Sequence, residues 1–277
     1  PGEYQLDSMV EAPNGMVYIG TAYSALVYRL DPATDQVTSL GSPPIDSTTW
    51  IFTMVRTRAD EIYGAKGVGL FRLDWQTDTL EAIGVVPGDH TTLGPNASMP
   101  ITRQLEEDAD GVLWGDTNRW LFRFDPKTKR IEPLVDMAQV DKACYALFLP
   151  SQLAPVKDIY FALYARFGGE EVGSPFYAYR RSACAVEPVP IAGIEGQIAA
   201  MPAWWVSDAG PRLLACEWRD EQASLVVADP EAGRVVERWG VESTSPASPI
   251  PGPGFYFFSA AELLQAEPSG RILRALA

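Results

Sequence analysis

Residues Asp110 to Leu134 read "DGVLWGDTNRWLFRFDPKTKRIEPL", and the same frame stands twice earlier in the chain. It appears as "NGMVYIGTAYSALVYRLDPATDQVTSLG" from Asn14 and as "DEIYGAKGVGLFRLDWQTDTLEAIG" from Asp60. Each copy runs from a polar turn into a strand with an aromatic, a small or glycine-rich gap, a second strand ending Arg-apolar-Asp, a turn and a third strand. Tyr18, Tyr63 and Trp114 hold equivalent places, 45 and 51 residues apart. A chain built this way must solve the same folding problem several times over, which restricts it to repeat architectures.

Weaker copies fill the second half: "KDIYFALYARFGGEEVGSPFYAYRRSACAVEPVP" from Lys157, "GPRLLACEWRDEQASLVVADPEAGRVVERWG" from Gly210 and "GFYFFSAAELLQAEPSGRILRALA" from Gly254. An apolar or mixed segment precedes each unit and supplies a further strand: Tyr4 to Val10, Trp50 to Arg56, Ile101 to Glu106, Cys144 to Leu149, Pro202 to Val206 and, less clearly, Ser248 to Pro251. Four short strands at a period of roughly 40 to 55 residues are the signature of propeller blades. The expected fold is all-β: one six-bladed β-propeller domain over 1–277, of four-stranded antiparallel blades near 1–41, 42–84, 85–135, 136–190, 191–240 and 241–277. A seventh blade, or membership of a larger propeller, is the alternative.

Local chemistry agrees. "DPATD", "DPKTK" and "DPEAG" place Pro where a tight turn already requires its φ, with an Asp ahead whose carboxylate can accept from turn amides. These read as hairpins between the two outer strands. Tyr, Phe, Val, Ile and Trp dominate the flanking runs, as half-buried pleated surfaces favour. "AAELLQAE" near Ala260 has some helical character, but its place in the repeat predicts a strand.

The frame resembles propeller repeats written roughly D-G-x-L-W-x-G-T-x-x-G-L-x-R-x-D-P-x-T-G, found in bacterial sensor propellers and, in related form, in virginiamycin B lyase-like propellers. The residues that carry the resemblance are "DGVLWGDTNRWLFRFDPKTK" and "NGMVYIGTAYSALVYRLDPATD". It covers most of the first half and only the strand pattern of the second. It implies a fold and says little of activity, because those positions build blades in every member.

Composition narrows the partners. The 36 acidic and 22 basic residues give a net charge of −14, which repels the backbone that nucleic-acid binding must neutralise. No apolar run approaches the roughly 18 to 20 residues of a membrane helix, so no membrane insertion is expected. Cys144, Cys184 and Cys216 are widely spaced, without metal-ligand spacing, and read as small hydrophobes, although one disulfide among them is left open. The chain begins at Pro1 without a leader-like segment and reads as a mature product or an excised domain. Localisation is left open, with an extracytoplasmic or secreted setting preferred.

In such a fold, the loops entering the innermost strands and those joining the second and third strands converge over a central funnel. "GSPPIDSTTW", "GVVPGDHTTLGPNASMP" and "GVESTSPASPIPGPG" belong to the first set, and "TAYSA", "DTNR", "LYARFGGEEVGS" and "EWRDEQA" to the second. His90 is the only histidine and the side chain best suited to proton transfer near neutrality. Arg103, Arg119 and Arg166 could converge on a carboxylate or phosphate, or each pair with a nearby Asp or Glu. Tyr23, Tyr164, Trp50, Trp204 and Trp218 offer flat faces for a sugar ring, or pack blades; Trp204 and Trp205 cannot both face inward. Asp116, Asn118 and Arg119 of the "DTNR" insert differ from the residues other repeats carry there, which is how a repeat protein would build an asymmetric site.

Several constellations are missing. One histidine rules out a His-rich zinc site, no G-x-S-x-G accompanies His90, and no phosphate loop is present. Glu11, Asn96 and Asp46 are the residue types that hold calcium in lactonase propellers, but in unmatched contexts; "NAS" at Asn96 is a glycosylation sequon of low specificity. No cofactor is expected, with a divalent cation such as calcium in the central channel left open. Two functions compete. The first is a ligand-binding propeller for a carbohydrate or other small polar ligand, or one that docks a protein. The second is a polysaccharide lyase acting by β-elimination on a uronic-acid glycan, with His90 or Tyr164 as base and Arg103 or Arg166 neutralising the carboxylate.

Overall fold

The computed structural model describes residues 5–47, 50–90, 100–142, 144–150, 157–164, 176–198, 202–207, 210–219, 222–241, 255–259, 262–266 and 272–276. Backbone contacts divide the chain into two compact units, Pro1–Asp136 and Met137–Ala277.

The first unit holds three antiparallel four-stranded sheets, each ordered as in sequence. They are β1 (Leu6–Glu11), β2 (Val17–Thr21), β3 (Val27–Asp31) and β4 (Gln36–Gly41); β5 (Thr53–Arg56), β6 (Ile62–Lys66), β7 (Gly69–Asp74) and β8 (Thr79–Val85); and β9 (Leu105–Glu107), β10 (Leu113–Asp116), β11 (Trp120–Asp125) and β12 (Arg130–Asp136). The repeat is kept down to single residues. Ile19 pairs with Tyr28, Gly64 with Phe71 and Gly115 with Phe122. The third strand carries a register shift at the same place in each sheet, at Val27/Tyr28, Leu70/Phe71 and Leu121/Phe122. Such bulges increase the local twist, as a strongly twisted blade requires. Gly64 and Gly115 are required where they stand: a Cβ on Gly115 would enter the Phe122 ring and lie 2.9 Å from Leu105 Cδ2.

The repeated aromatics are packing residues with satisfied polar tips. Tyr18 donates to Asp78 at 2.7 Å, Tyr63 to Glu61 at 3.0 Å, and Trp114 Nε1 to Asp108 Oδ2 at 2.8 Å. Burial and the neighbouring carboxylate push both tyrosine hydroxyls well above their ordinary range. Tyr18 lies in the apolar cluster that joins the first two sheets, with Val27, Ile51, Ile62 and Phe71. Tyr63 joins the second and third with Leu70, Phe122 and Phe124. Apolar burial between successive blades is the main source of stability in this arrangement.

The Asp-led turns form as expected. Asp31 accepts from the Ala33 amide at 2.9 Å and from the Thr34 hydroxyl at 2.9 Å, and Asp125 accepts from the Lys127 amide at 2.9 Å and from Thr128 at 2.8 Å. In the second unit Asp229 takes the amides of Glu231 and Ala232.

The second unit opens with the short helix α1 (Met137–Val140). Next come β13 (Ala146–Phe148), β14 (Ile159–Tyr164), β15 (Phe176–Arg180) and β16 (Ala185–Pro188) in one sheet, in that order. The following sheet departs from the frame. β17 (Gln197–Ile198) and β18 (Ala203–Ser207) both pair with the ten-residue β19 (Gly210–Arg219), which continues into β20 (Gln222–Asp229) and β21 (Arg234–Val241). The strand expected at Pro202 to Val206 is therefore joined by an earlier two-residue piece on the same neighbour. Trp204 is buried against Tyr160, with ring centres 5.5 Å apart, while Trp205 packs on the cluster around Leu214 and Leu225. The alternation anticipated for this pair holds.

The last sheet is β22 (Phe255–Ser259), β23 (Glu262–Ala266) and β24 (Ile272–Leu276). The "AAELLQAE" segment is a strand, and the fourth strand expected at Ser248 to Pro251 lies outside the described residues. The three cysteines are free thiols, Cys144 and Cys216 buried and Cys184 exposed. Among the described residues no helix is long and apolar enough to cross a membrane.

Candidate functional site

In the first unit the entry segments and the second-to-third-strand loops meet along one continuous set of hydrogen bonds. The Ile51 amide donates to Thr21 O at 3.2 Å, the Gly67 amide to Trp50 O at 2.9 Å, and the Thr102 amide to Gly67 O at 2.8 Å. Gly67, at φ +58°, turns its two peptide groups toward both entry segments. Loops of the two predicted sets are thus held together through three successive blades.

Register then decides which side chains face this edge. Asp7, Phe52 and Arg103 each stand eleven residues before the repeated aromatic of their blade, so they are equivalent positions at the head of the innermost strands. They converge. The Arg103 guanidinium lies over the Phe52 ring at 5.2 Å, donates through Nε to Asn118 Oδ1 at 2.8 Å, and acts electrostatically on both Asp7 and Asp116. Phe52 meets Trp50 edge to face at 5.4 Å, and Trp50 meets Tyr23 at 5.6 Å. A row of aromatic rings therefore runs from Arg103 to Tyr23, which is 58% exposed.

Tyr23 is held in the left-handed region at φ 61°, as is Ala25 at φ 48°. That backbone costs a side-chain-bearing residue about 1–2 kcal/mol. Asn118, at φ 65°, tolerates the same region through its short polar side chain. In this conformation the exposed Tyr23 ring meets Trp50 edge to face.

Asp116 is the clearest break in the repeat. Two residues after the repeated aromatic, the first two blades carry the buried Gly20 and Ala65, and the third carries Asp116, also fully buried. Burial pushes its carboxyl up to about 7, opposed by the Asn118 amide at 3.0 Å, by the Arg103 charge and by the Gln104 and Arg103 amides. Asp7 is raised too, mainly by burial, with Gln5 at 2.6 Å and Arg103 opposing. Among the described residues Asp7 Oδ2, Trp50 Nε1, Thr102 Oγ1, Gln104 Oε1 and Asp116 Oδ2 are enclosed and lack a hydrogen-bond partner. Buried polar atoms are rarely left so, at a cost of about 1–3 kcal/mol each.

The other candidates fall elsewhere. Arg119 braces two carboxylates, Asp136 through Nε at 2.6 Å and Nη2 at 2.5 Å, and Asp89 at 3.1 Å. His90 Nε2 lies 2.6 Å from Val86 O and donates to it, while Nδ1 is enclosed without a hydrogen-bond partner among the described residues. No contact among the described residues brings His90 to Arg103. Tyr164 ends β14 with its backbone paired to Ala146, and nothing further of it is described. Arg166 and Asn96 lie outside the described residues. Trp218, in the second unit, packs with Leu214, Cys216 and Leu225. Glu11 and Asp46 are exposed, and no three His, Cys, Asp or Glu side chains among the described residues gather as a cation site.

Asp7, Phe52, Thr102 and Gln104 were not anticipated from sequence. The signal that finds them is the constant eleven-residue offset from Tyr18, Tyr63 and Trp114, which places Asp7, Phe52 and Arg103 together.

No protein-family model and no curated protein matches this chain. Solved structures do. A catalytically inactive virginiamycin B lyase from Staphylococcus aureus, with quinupristin, is 10% identical at a TM-score of 0.68, covering 99% of this chain and 84% of its own. The Dos1 propeller is 9% identical at 0.64, covering 99% and 73%. The extracellular domain assigned to a one component system of B. thetaiotaomicron is 12% identical at 0.52, covering 98% of this chain, which spans 41% of that one. At such identities the likeness establishes the fold, a β-propeller with blades of four antiparallel strands.

Proposed function

We propose that this β-propeller is a binding module that holds a small, polar, ring-bearing ligand, with carbohydrate as the leading class, at the Arg103 edge of its first three blades. The observation that carries the reading is the Arg103 guanidinium over the Phe52 ring, from equivalent positions of two blades, at the head of an aromatic row that reaches the surface at Tyr23. A repeat that served packing alone would keep those positions alike. Here Asp7 is acidic, Phe52 aromatic and Arg103 basic, and the row Phe52, Trp50, Tyr23 extends to the surface. Aromatic rings beside polar groups suit a ligand with an apolar face and a polar edge.

The reading is tested by calorimetric titration of the full chain with a panel of mono- and disaccharides, amino acids and dicarboxylates, beside Arg103→Met. Methionine keeps an apolar chain over Phe52 and removes the charge and the bond to Asn118. A panel ligand should bind the parent, and bind Arg103→Met at least about tenfold more weakly, or about 1.4 kcal/mol. Equal affinity in the variant, or no binding anywhere in the panel, removes the support.

The second reading is a lyase with His90 or Tyr164 as base; the His90 ring is held at Nε2 by Val86 O, and its Nδ1 is enclosed. Full turnover of a uronic-acid glycan by a His90→Ala, Tyr164→Ala double variant would end that reading.

A further inference from the structure

A cavity of about 340 Å³ lies wholly within the second unit, between β14 and the end of the following sheet that carries the β18–β19 and β20–β21 turns. Tyr160, Trp204, Arg212, Asp229 and Glu231 line it, and the rest of its lining is glycine, proline and alanine. The repeat explains why it is open. Tyr160 pairs with Ala178 as Tyr18 pairs with Arg29, so the two tyrosines are equivalent, and each faces the outer turn of the following blade. Beside Tyr18 that turn is Asp74 to Asp78. Asp78 accepts from the Tyr18 hydroxyl at 2.7 Å and pairs with the Arg29 guanidinium, while Trp75 packs on the neighbouring apolar cluster. Beside Tyr160 the turn is Asp229 to Gly233, in which Gly233 holds the left-handed place of Asp78, at φ 65° against 57°. Arg29, Trp75 and Asp78 thus give way to Ala178, Pro230 and Gly233. Small residues stand where the first unit fills the gap with an ion pair and an indole.

The charges around the cavity do not cancel. Arg212 Nη2 is held by Asp229 Oδ2 at 3.2 Å, and its Nη1 donates to Pro211 O at 2.9 Å. Asp229 Oδ1 is taken by the amides of Glu231 and Ala232. This leaves the carboxylate of Glu231, which is exposed and has no side-chain partner among the described residues. Arg180 lies over the Tyr160 ring at 5.9 Å, but Asp158 and Glu187 each hold it at 3.0 Å, so it adds no unmatched positive charge. An entering anion would meet two carboxylates beside a guanidinium already engaged. A cation meets one carboxylate without a partner. In the first unit the corresponding gap holds a cation of the chain's own, Arg29, against a turn carboxylate. In the second the turn keeps a carboxylate, and Ala178 leaves the cation out.

The walls suit the same ligand. Tyr160 and Trp204 stand with ring centres 5.5 Å apart and planes at 82°, and aromatic rings attract cations most strongly where water is partly excluded. We propose that this cavity binds a small organic ammonium, an alkylated amine whose charge lies toward Glu231 and whose alkyl groups contact Trp204 and Tyr160. The volume is at the small end of ligand cavities, as such a ligand requires.

The test is calorimetric titration of the full chain at pH 7 with choline and tetramethylammonium, beside acetate and dimethylbutanol, the uncharged isostere of choline. Glu231→Gln removes the charge at an exposed turn position, and Trp204→Leu removes one wall, with melting temperatures measured for both. Choline should bind at least about tenfold more tightly than dimethylbutanol, and each folded variant should weaken choline by about the same factor. Should Trp204→Leu fail to fold, Glu231→Gln decides alone, because its side chain lies outside the core. Equal binding of the uncharged isostere, preferred binding of acetate, no binding of either ammonium, or choline binding unchanged in Glu231→Gln would each overturn the proposal.

Discussion

Replacing Asp116 by alanine gives the third blade the residue that the second carries at Ala65, and the effect on stability should change sign with pH. In the folded chain the carboxyl titrates near 7, against about 3.9 when unfolded. The folded state therefore binds the proton more tightly, and this residue makes stability fall as pH rises from about 4 to 7, then level off. About three pKa units correspond to about 4 kcal/mol at the upper limit. Alanine removes that penalty and also removes the acceptor of the Asn118 amide, which costs about 1–3 kcal/mol. At pH 8.5 Asp116→Ala should thus be more stable than the parent by about 1–3 kcal/mol, and at pH 4.5, where about 1 kcal/mol of the penalty is already present, less stable by up to about 2 kcal/mol. Urea denaturation followed by tryptophan fluorescence across this range gives both curves, and the titrations the proteins share cancel in the difference. A difference independent of pH would refute the account of Asp116 as a buried, protonated carboxyl.

Other positions yield further outcomes. Gly115→Ala drives a methyl into the Phe122 ring and against Leu105, and should lower stability by about 1–3 kcal/mol in thermal melts. Arg119→Ala strips Asp136, whose side chain is 5% exposed, of a two-pronged partner, and should cost about 3 kcal/mol in denaturant titrations. Arg119→Lys should recover only part of that loss, because one ammonium cannot reproduce both bonds. Tyr23→Gly should change stability by less than about 1 kcal/mol, since relief of the left-handed backbone offsets the lost edge contact with Trp50.

Much of the architecture was legible because repetition multiplies weak signals. One "DPKTK" turn proves little, yet Asp31, Asp125 and Asp229 each accept from the amide two residues on, at the same point of three hairpins. The interrupted inner edge beside β19 was half legible. Pro202 to Val206 read as a strand, whereas the two residues of β17 are too short to show an alternation.

The site was harder to read because it depends on register. Arg103 and Trp50 stood out by residue type, but Asp7 and Phe52 are unremarkable until the eleven-residue offset puts them beside Arg103. The "DTNR" insert shows the same limit. Asp116 and Asn118 join Arg103, while Arg119, the most prominent charge in the segment, turns away to Asp89 and Asp136. Sequence shows that these residues break the repeat, and only their geometry separates those that face the site from the one that braces the blade.

The central claim is that ligands bind at the Arg103 edge, and the indole N–H resonances of the full chain test it most directly. The Trp50 signal, assigned by its loss in Trp50→Phe, should shift when a ligand that binds the chain is added. That of Trp114, fixed on Asp108, should stay in place. A ligand that binds while the Trp50 resonance stays fixed and other indoles move would contradict the account.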